Sequence, residues 1–71
     1  MAATSENPPC FLRLPQVKQR TALSRSSIYA KIARGEFPPP ISLGARAVAW
    51  LDDEITKWIS DRVNASRGGV Q

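Results

Sequence analysis

Histidine is absent from this 71-residue chain, and cysteine, methionine and tyrosine occur once each. Without imidazole, the usual base of proton-transfer catalysis is missing, and so is every Cys/His zinc arrangement of the finger type. The lone thiol, Cys10, excludes a disulfide within the chain. Long apolar runs are lacking too: the longest, Ala47 to Leu51, holds five residues, against the roughly 20 that span a bilayer. The opening Met1 to Pro9 shows neither the basic start nor the apolar stretch of a secretory signal, so a soluble, cytoplasmic protein is expected. Acidic residues are few, six against ten Lys and Arg, for a net charge of +4. A basic balance in so short a chain favours polyanionic partners, nucleic acid or an anionic membrane surface. The length leaves room for one small domain and excludes a multi-domain enzyme.

Residues 1–10 and 64–71 are poor in core-forming side chains and are expected as disordered tails, leaving a folded unit at 11–63. Within that unit the apolar period changes along the chain. Phe11 to Leu14 reads as a short extended run closed by Pro15, which is well placed to begin a helix. Leu14, Val17 and Thr21 then make a narrow inward stripe, predicting a helix from Pro15 to about Thr21. After a break at Ala22 and Leu23, Ser24 is a strong N-cap for a second helix, Arg25 to Ala33, with Ile28 and Ile32 inward and Gly35 as its left-handed stop. Pro38, Pro39 and Pro40 forbid continuation. From Ile41 the period becomes two: Ile41 and Leu43 on one face, a turn at Gly44-Ala45-Arg46, then Val48 and Trp50 alternating with Ala47 and Ala49, a β-hairpin. Asp52 or Asp53 is expected to cap a last amphipathic helix whose inner face is Ile55, Trp58, Ile59 and Val63.

Two short helices joined by a tight turn form a helix-turn-helix, whose second helix lies in the DNA major groove. The plainer alternative is an αα corner that only packs. The charge map favours DNA: Arg13, Lys18, Arg20, Arg25, Lys31 and Arg34 are unopposed by any acid between Phe11 and Gly35, while Asp52, Asp53, Glu54 and Asp61 come later.

Five blocks in order, Leu12-Arg13-Leu14, Leu23 to Tyr29, Gly35 to Ile41, Leu43 to Trp50 and Glu54 to Ile59, resemble the AlpA family of phage and prophage regulators, related to excisionases and the MerR-type winged helix. The resemblance covers about three quarters of the chain. It implies an α+β, mainly α, winged helix-turn-helix: a short N-terminal strand, two helix-turn-helix helices, a β-hairpin wing and a C-terminal amphipathic helix. It further implies a transcriptional regulator in the bacterial cytoplasm, associated with the nucleoid when bound, often of integrase or excision functions in an integrated element. The chain departs from the family at four places. The family usually has Gly where Ala22 stands, commonly Thr for Ser27, a basic residue for Ala30, and often Gly or a small polar residue for Ala45. Ala30 removes a contact from the exposed side of the recognition helix, so a relative's target sequence does not transfer.

The expected DNA-binding residues follow. Arg25, Ser26 and Tyr29 lie at the start and outer side of the second helix, where base edges are met; arginine can grip guanine with two hydrogen bonds, and tyrosine can serve a phosphate or a thymine methyl. The alternatives are a solvated charge for Arg25 and packing on the hairpin for Tyr29. Ser27 is a capping or phosphate-binding hydroxyl. Lys31 and Arg34 are placed for phosphates; Lys18 and Arg20, on the first helix, could cross the DNA backbone, the alternative being ordinary surface charge. Arg46, at the hairpin tip, is placed for the flanking minor groove or backbone, unless it forms a surface ion pair with Glu36. Trp50 and Trp58 fall on inward faces and are assigned to the core rather than to base stacking. The acids at 52–54 are read as belonging to a helix start rather than as a metal site or catalytic pair, and Cys10 as an incidental thiol.

The resulting reading is a sequence-specific binder of double-stranded DNA with no enzymatic step, cofactor, metal, membrane or small-molecule ligand expected, and with further copies of itself on DNA and integrase as candidate partners. Its rivals are an excisionase that bends attachment-site DNA, and a protein-interaction adaptor with the same fold.

Overall fold

A computed structural model describes residues 10–68. Six elements follow one another: β1 (Phe11–Leu12), α1 (Leu14–Thr21), α2 (Arg25–Ala33), β2 (Ile41–Gly44), β3 (Ala47–Leu51) and α3 (Asp52–Arg67). This is the expected order of strand, helix, helix, hairpin and helix. The three strands form an antiparallel sheet in the order β1-β3-β2, with Leu12 opposite Trp50 and Ile41 opposite Ala49. Two helices in tandem and a hairpin make the domain a winged helix-turn-helix.

Helix α1 starts one residue before Pro15, and the extended residue is Arg13, whose backbone N–H donates to the Gln16 side chain at 2.8 Å. It ends at Ala22, which stands in the left-handed region at φ 62 with its N–H bonded to the Lys18 carbonyl at 2.8 Å. A side chain there costs roughly 1–2 kcal/mol relative to the right-handed conformation, a cost glycine escapes. Ser24 caps α2 by accepting from the Ser27 N–H at 3.1 Å. At the other end Gly35 takes φ 74, and the Glu36 N–H returns to the Lys31 carbonyl at 2.8 Å, a left-handed stop of the expected kind.

The core gathers Val17, Ile28, Trp50 and Ile55, all fully buried, with Phe37 beside them. Both indoles face inward and are satisfied. The Trp50 N–H donates to the Pro38 carbonyl at 3.0 Å, and the Trp58 N–H to the Glu36 carbonyl at 2.9 Å. Phe37 meets Trp58 edge to face, ring centres 4.9 Å apart. The proline-rich segment between α2 and β2 is thus tied down by two tryptophans.

Several expectations need correcting. Neither Asp52 nor Asp53 caps α3: β3 runs straight into the helix, Leu51 occupies the cap position, and Asp52 is the first helical residue, its N–H donating to the Cys10 carbonyl at 2.8 Å. The helix continues to Arg67 rather than ending at Val63, so residues 64–67 are helical and not a tail. Cys10, assigned to the other tail, is joined to the fold by that same bond. Residues 1–9 and 69–71 of the two expected tails lie outside the described residues. Val63 is 41% exposed instead of inward, because α3 has by then run past the core that Ile55 and Ile59 meet. Ala49 is fully buried, although the alternation placed it opposite the core residues; it lies in the central strand, where a single methyl group is easily covered.

Candidate nucleic-acid interface

Basic side chains divide into two groups once the chain is folded. Arg20, on α1, hydrogen-bonds the Asp52 carboxylate and the Thr56 hydroxyl, the latter at 3.0 Å, and so clamps α1 to the start of α3. Arg34 pairs with Glu36 at 3.2 Å and Lys57 with Asp61 at 3.0 Å. Among the described residues, Arg13, Lys18, Arg25, Lys31, Arg46, Arg62 and Arg67 enter no ion pair, and Arg62 on α3 lies over the Trp58 ring, 5.9 Å from its centre.

Arg25 and Ser26 are exposed on the first turn of α2, and the Ser24 cap fixes where that turn begins. The Arg25 guanidinium lies over the Tyr29 ring, 5.3 Å from its centre. Tyr29 rests edge-on against Trp50, ring centres 6.3 Å apart, while 36% of its surface stays exposed. The packing on the hairpin weighed for it is found, and part of its surface stays open to solvent. Ser27 is half-buried within the cap, its N–H donating to the Ser24 oxygen and its own hydroxyl oxygen accepting from Ser24 at 3.1 Å. Lys31 is also half-buried, beside the groove formed by Phe37, Pro38 and Trp58. Lys18 is exposed on α1.

Arg46 stands in the turn between β2 and β3, exposed, at φ 104. That conformation suits glycine and is strained for arginine. The preceding irregularity in the hairpin ladder, between Ser42 and Gly44, lets Gly44 take φ 154. The ion pair weighed as an alternative for Arg46 does not form, since Glu36 is joined to Arg34. Three residues of β3 lie between Arg46 and Trp50, four steps or roughly 13 Å along a strand. Helix α2 and the hairpin turn are thus linked through β3, with Tyr29 packed against its Trp50.

Sequence reasoning missed the structural use of Arg20, counted among the open charges, and the burial of Phe37. Arg20 is 32 residues from its carboxylate partner, beyond any local spacing rule. For Phe37 a local signal exists: an apolar residue shortly after a left-handed helix stop commonly packs back on the helix.

The family model described as Prophage CP4-57 regulatory protein (AlpA) matches residues 10–63. Among curated proteins the chain is 49% identical to the uncharacterized protein ORF88 of Enterobacteria phage P4, covering 83% of this chain and 67% of that protein. It is 40% identical to the DNA-binding transcriptional activator AlpA of Escherichia coli (strain K12), covering 73% of this chain and 83% of that relative.

Proposed function

The chain belongs to the AlpA family of prophage regulatory proteins, and from that premise we propose that it is a sequence-specific regulator of transcription that binds double-stranded DNA in an integrated phage-like element. Helix α2 enters a major groove with Arg25, Ser26 and Tyr29 toward the base edges, and Arg46 on the wing meets the flanking minor groove or backbone. Lys18, Lys31 and Arg34 serve phosphates, Arg34 by exchanging its weak, exposed pairing with Glu36 for a phosphate oxygen. Ser27 acts mainly through the cap that fixes the helix start. The work is binding alone, with no enzymatic step.

The observation that carries this reading is the lack of any acidic partner, among the described residues, for Arg25 and Arg46, while Arg20, Arg34 and Lys57 are neutralised by Asp52, Glu36 and Asp61. The strained backbone at Arg46 supports it, because strain of this kind gathers at functional turns. A single module of this size has a small footprint, so copies side by side on DNA supply the remaining affinity.

The test is binding of the full chain to a duplex from upstream of its own gene at two salt concentrations, with Arg25→Ala and Arg46→Ala measured separately. Each substitution is expected to weaken binding, and affinity to fall steeply as salt rises. Affinity that is flat in salt and untouched by both substitutions would instead support docking of a protein on this face.

A further inference from the structure

The exposed side of α2 carries more than positive charge. Arg25 and Tyr29, one helical turn apart, form a planar cation laid against an aromatic ring, and that ring is braced by a fully buried tryptophan. Trp50 is in turn held by its bond to the Pro38 carbonyl at 3.0 Å. The guanidinium is thereby restricted before any ligand arrives, which lowers the entropy lost when its fork is engaged. Tyr29 stays 36% exposed beside that fork.

The geometry points to a two-base-pair reading unit, in which Arg25 takes a guanine and the Tyr29 ring takes the C5-methyl group of a pyrimidine in the adjoining base pair. This inference rests on the DNA reading above and specifies it. In the major groove, guanine offers O6 and N7 as two acceptors matched to an arginine fork. A guanidinium bound in that way lies in the plane of the base. The ring, its centre 5.3 Å from the guanidinium carbon, is then on the side of the adjoining base pair, whose level is about 3.4 Å along the duplex axis. At that level the apolar group in the groove is the C5-methyl of thymine. A methylated cytosine carries the same group in the same place, so the recognised chemistry is a 5-methylpyrimidine beside a guanine. Ala30, exposed next to Tyr29, presents only a methyl group and adds no competing hydrogen-bond donor.

Selection by the full chain from a randomised duplex pool is expected to return sites holding guanine next to thymine. Changing that thymine to uracil removes the methyl alone and is expected to weaken binding about fourfold, while 7-deazaguanine, which lacks N7, weakens it about tenfold. Cytosine in the thymine position should bind poorly and 5-methylcytosine should recover the loss. Tyr29→Phe keeps the ring and should keep the uracil effect; Tyr29→Ala should abolish it while leaving the 7-deazaguanine effect. The uracil comparison on the unaltered protein does not depend on how any variant folds. Selected sites without the guanine–thymine step overturn the inference, as does a uracil penalty that is absent or equal in the unaltered chain and Tyr29→Ala. So does a 5-methylcytosine that binds no better than cytosine. Salt-dependent binding that ignores the methyl overturns this inference alone, whereas failure to bind any duplex overturns the DNA reading with it.

Discussion

Helix α3 and the surface made by α2 and the wing use ionic side chains differently, although the far end of α3 keeps Arg62 and Arg67 outside any ion pair among the described residues. On α3, Asp52 is neutralised by Arg20 and Asp61 by Lys57, and the helix presses Ile55, Trp58 and Ile59 onto the core. On α2 and the wing, Arg25 and Arg46 have no acidic partner among the described residues, and Arg25 is held by an aromatic ring instead. The difference shows why the net charge of +4 is a poor guide to the molecule. Glu36, Asp52 and Asp61 are taken up in ion pairs, so the field that a polyanion meets depends on where the unpaired basic residues stand. The start of α3 uses charge to close the domain; α2 and the wing leave Arg25 and Arg46 available.

The largest expected effect comes from removing the element that both regions share. Trp50→Ala empties the centre of the core and strips the brace beneath Tyr29, costing about 3–5 kcal/mol. A domain of this size has of the order of 5 kcal/mol in total, so loss of the cooperative transition in thermal circular dichroism is expected, together with loss of DNA binding.

Arg25→Ala and Arg20→Ala then separate the regions. The first should weaken duplex binding by about 1–3 kcal/mol in fluorescence anisotropy while leaving stability within about 0.5 kcal/mol. The second should do the reverse: its clamp is more than a third exposed and screened by solvent, so it contributes about 0.5–1 kcal/mol to stability, and DNA affinity should stay near that of the unaltered chain. Equal binding losses in both variants would erase the distinction.

A smaller effect is expected at the wing. Arg46→Ala should reduce the slope of log affinity against log salt by about 1, uniformly across duplex sequences. Arg46→Gly should lose the same contact yet raise the melting temperature relative to Arg46→Ala, because glycine adopts φ 104 without strain.

The smallest effect concerns stability alone. Ala22→Gly should stabilise the domain by up to about 1 kcal/mol, since the left-handed cost at φ 62 is relieved and partly offset by the greater entropy of glycine in the unfolded chain. Denaturant titration reads this, and duplex affinity should not change.

Local chemistry made much of this fold legible beforehand. The Ser24 cap, the Gly35 stop and the change from helical to strand period depend on residues within a few positions of one another, and all three are found. The inward faces of Trp50 and Trp58 followed from the same periodicities. What escaped was set by distant parts of the chain. Val63 obeys the helical period of α3 but lies beyond the reach of the core, and Arg20 was counted with the open charges because its partner Asp52 lies across the fold. In the candidate site, the position of Arg25 at the helix start was readable from the cap. Its contact with Tyr29 obeys i,i+4 spacing, but the bracing of that pair by Trp50 depends on how the hairpin packs against α2.

The central claim is that the open charges of α2 and the wing meet DNA while the paired charges of α3 do not. The most direct measurement is a titration of isotopically labelled chain with its upstream duplex, followed residue by residue through backbone amide NMR shifts. The account predicts salt-sensitive shifts concentrated at residues 24–30 and 44–47, with 53–66 nearly unmoved. Shifts centred on α3, or none at saturating duplex, would contradict it.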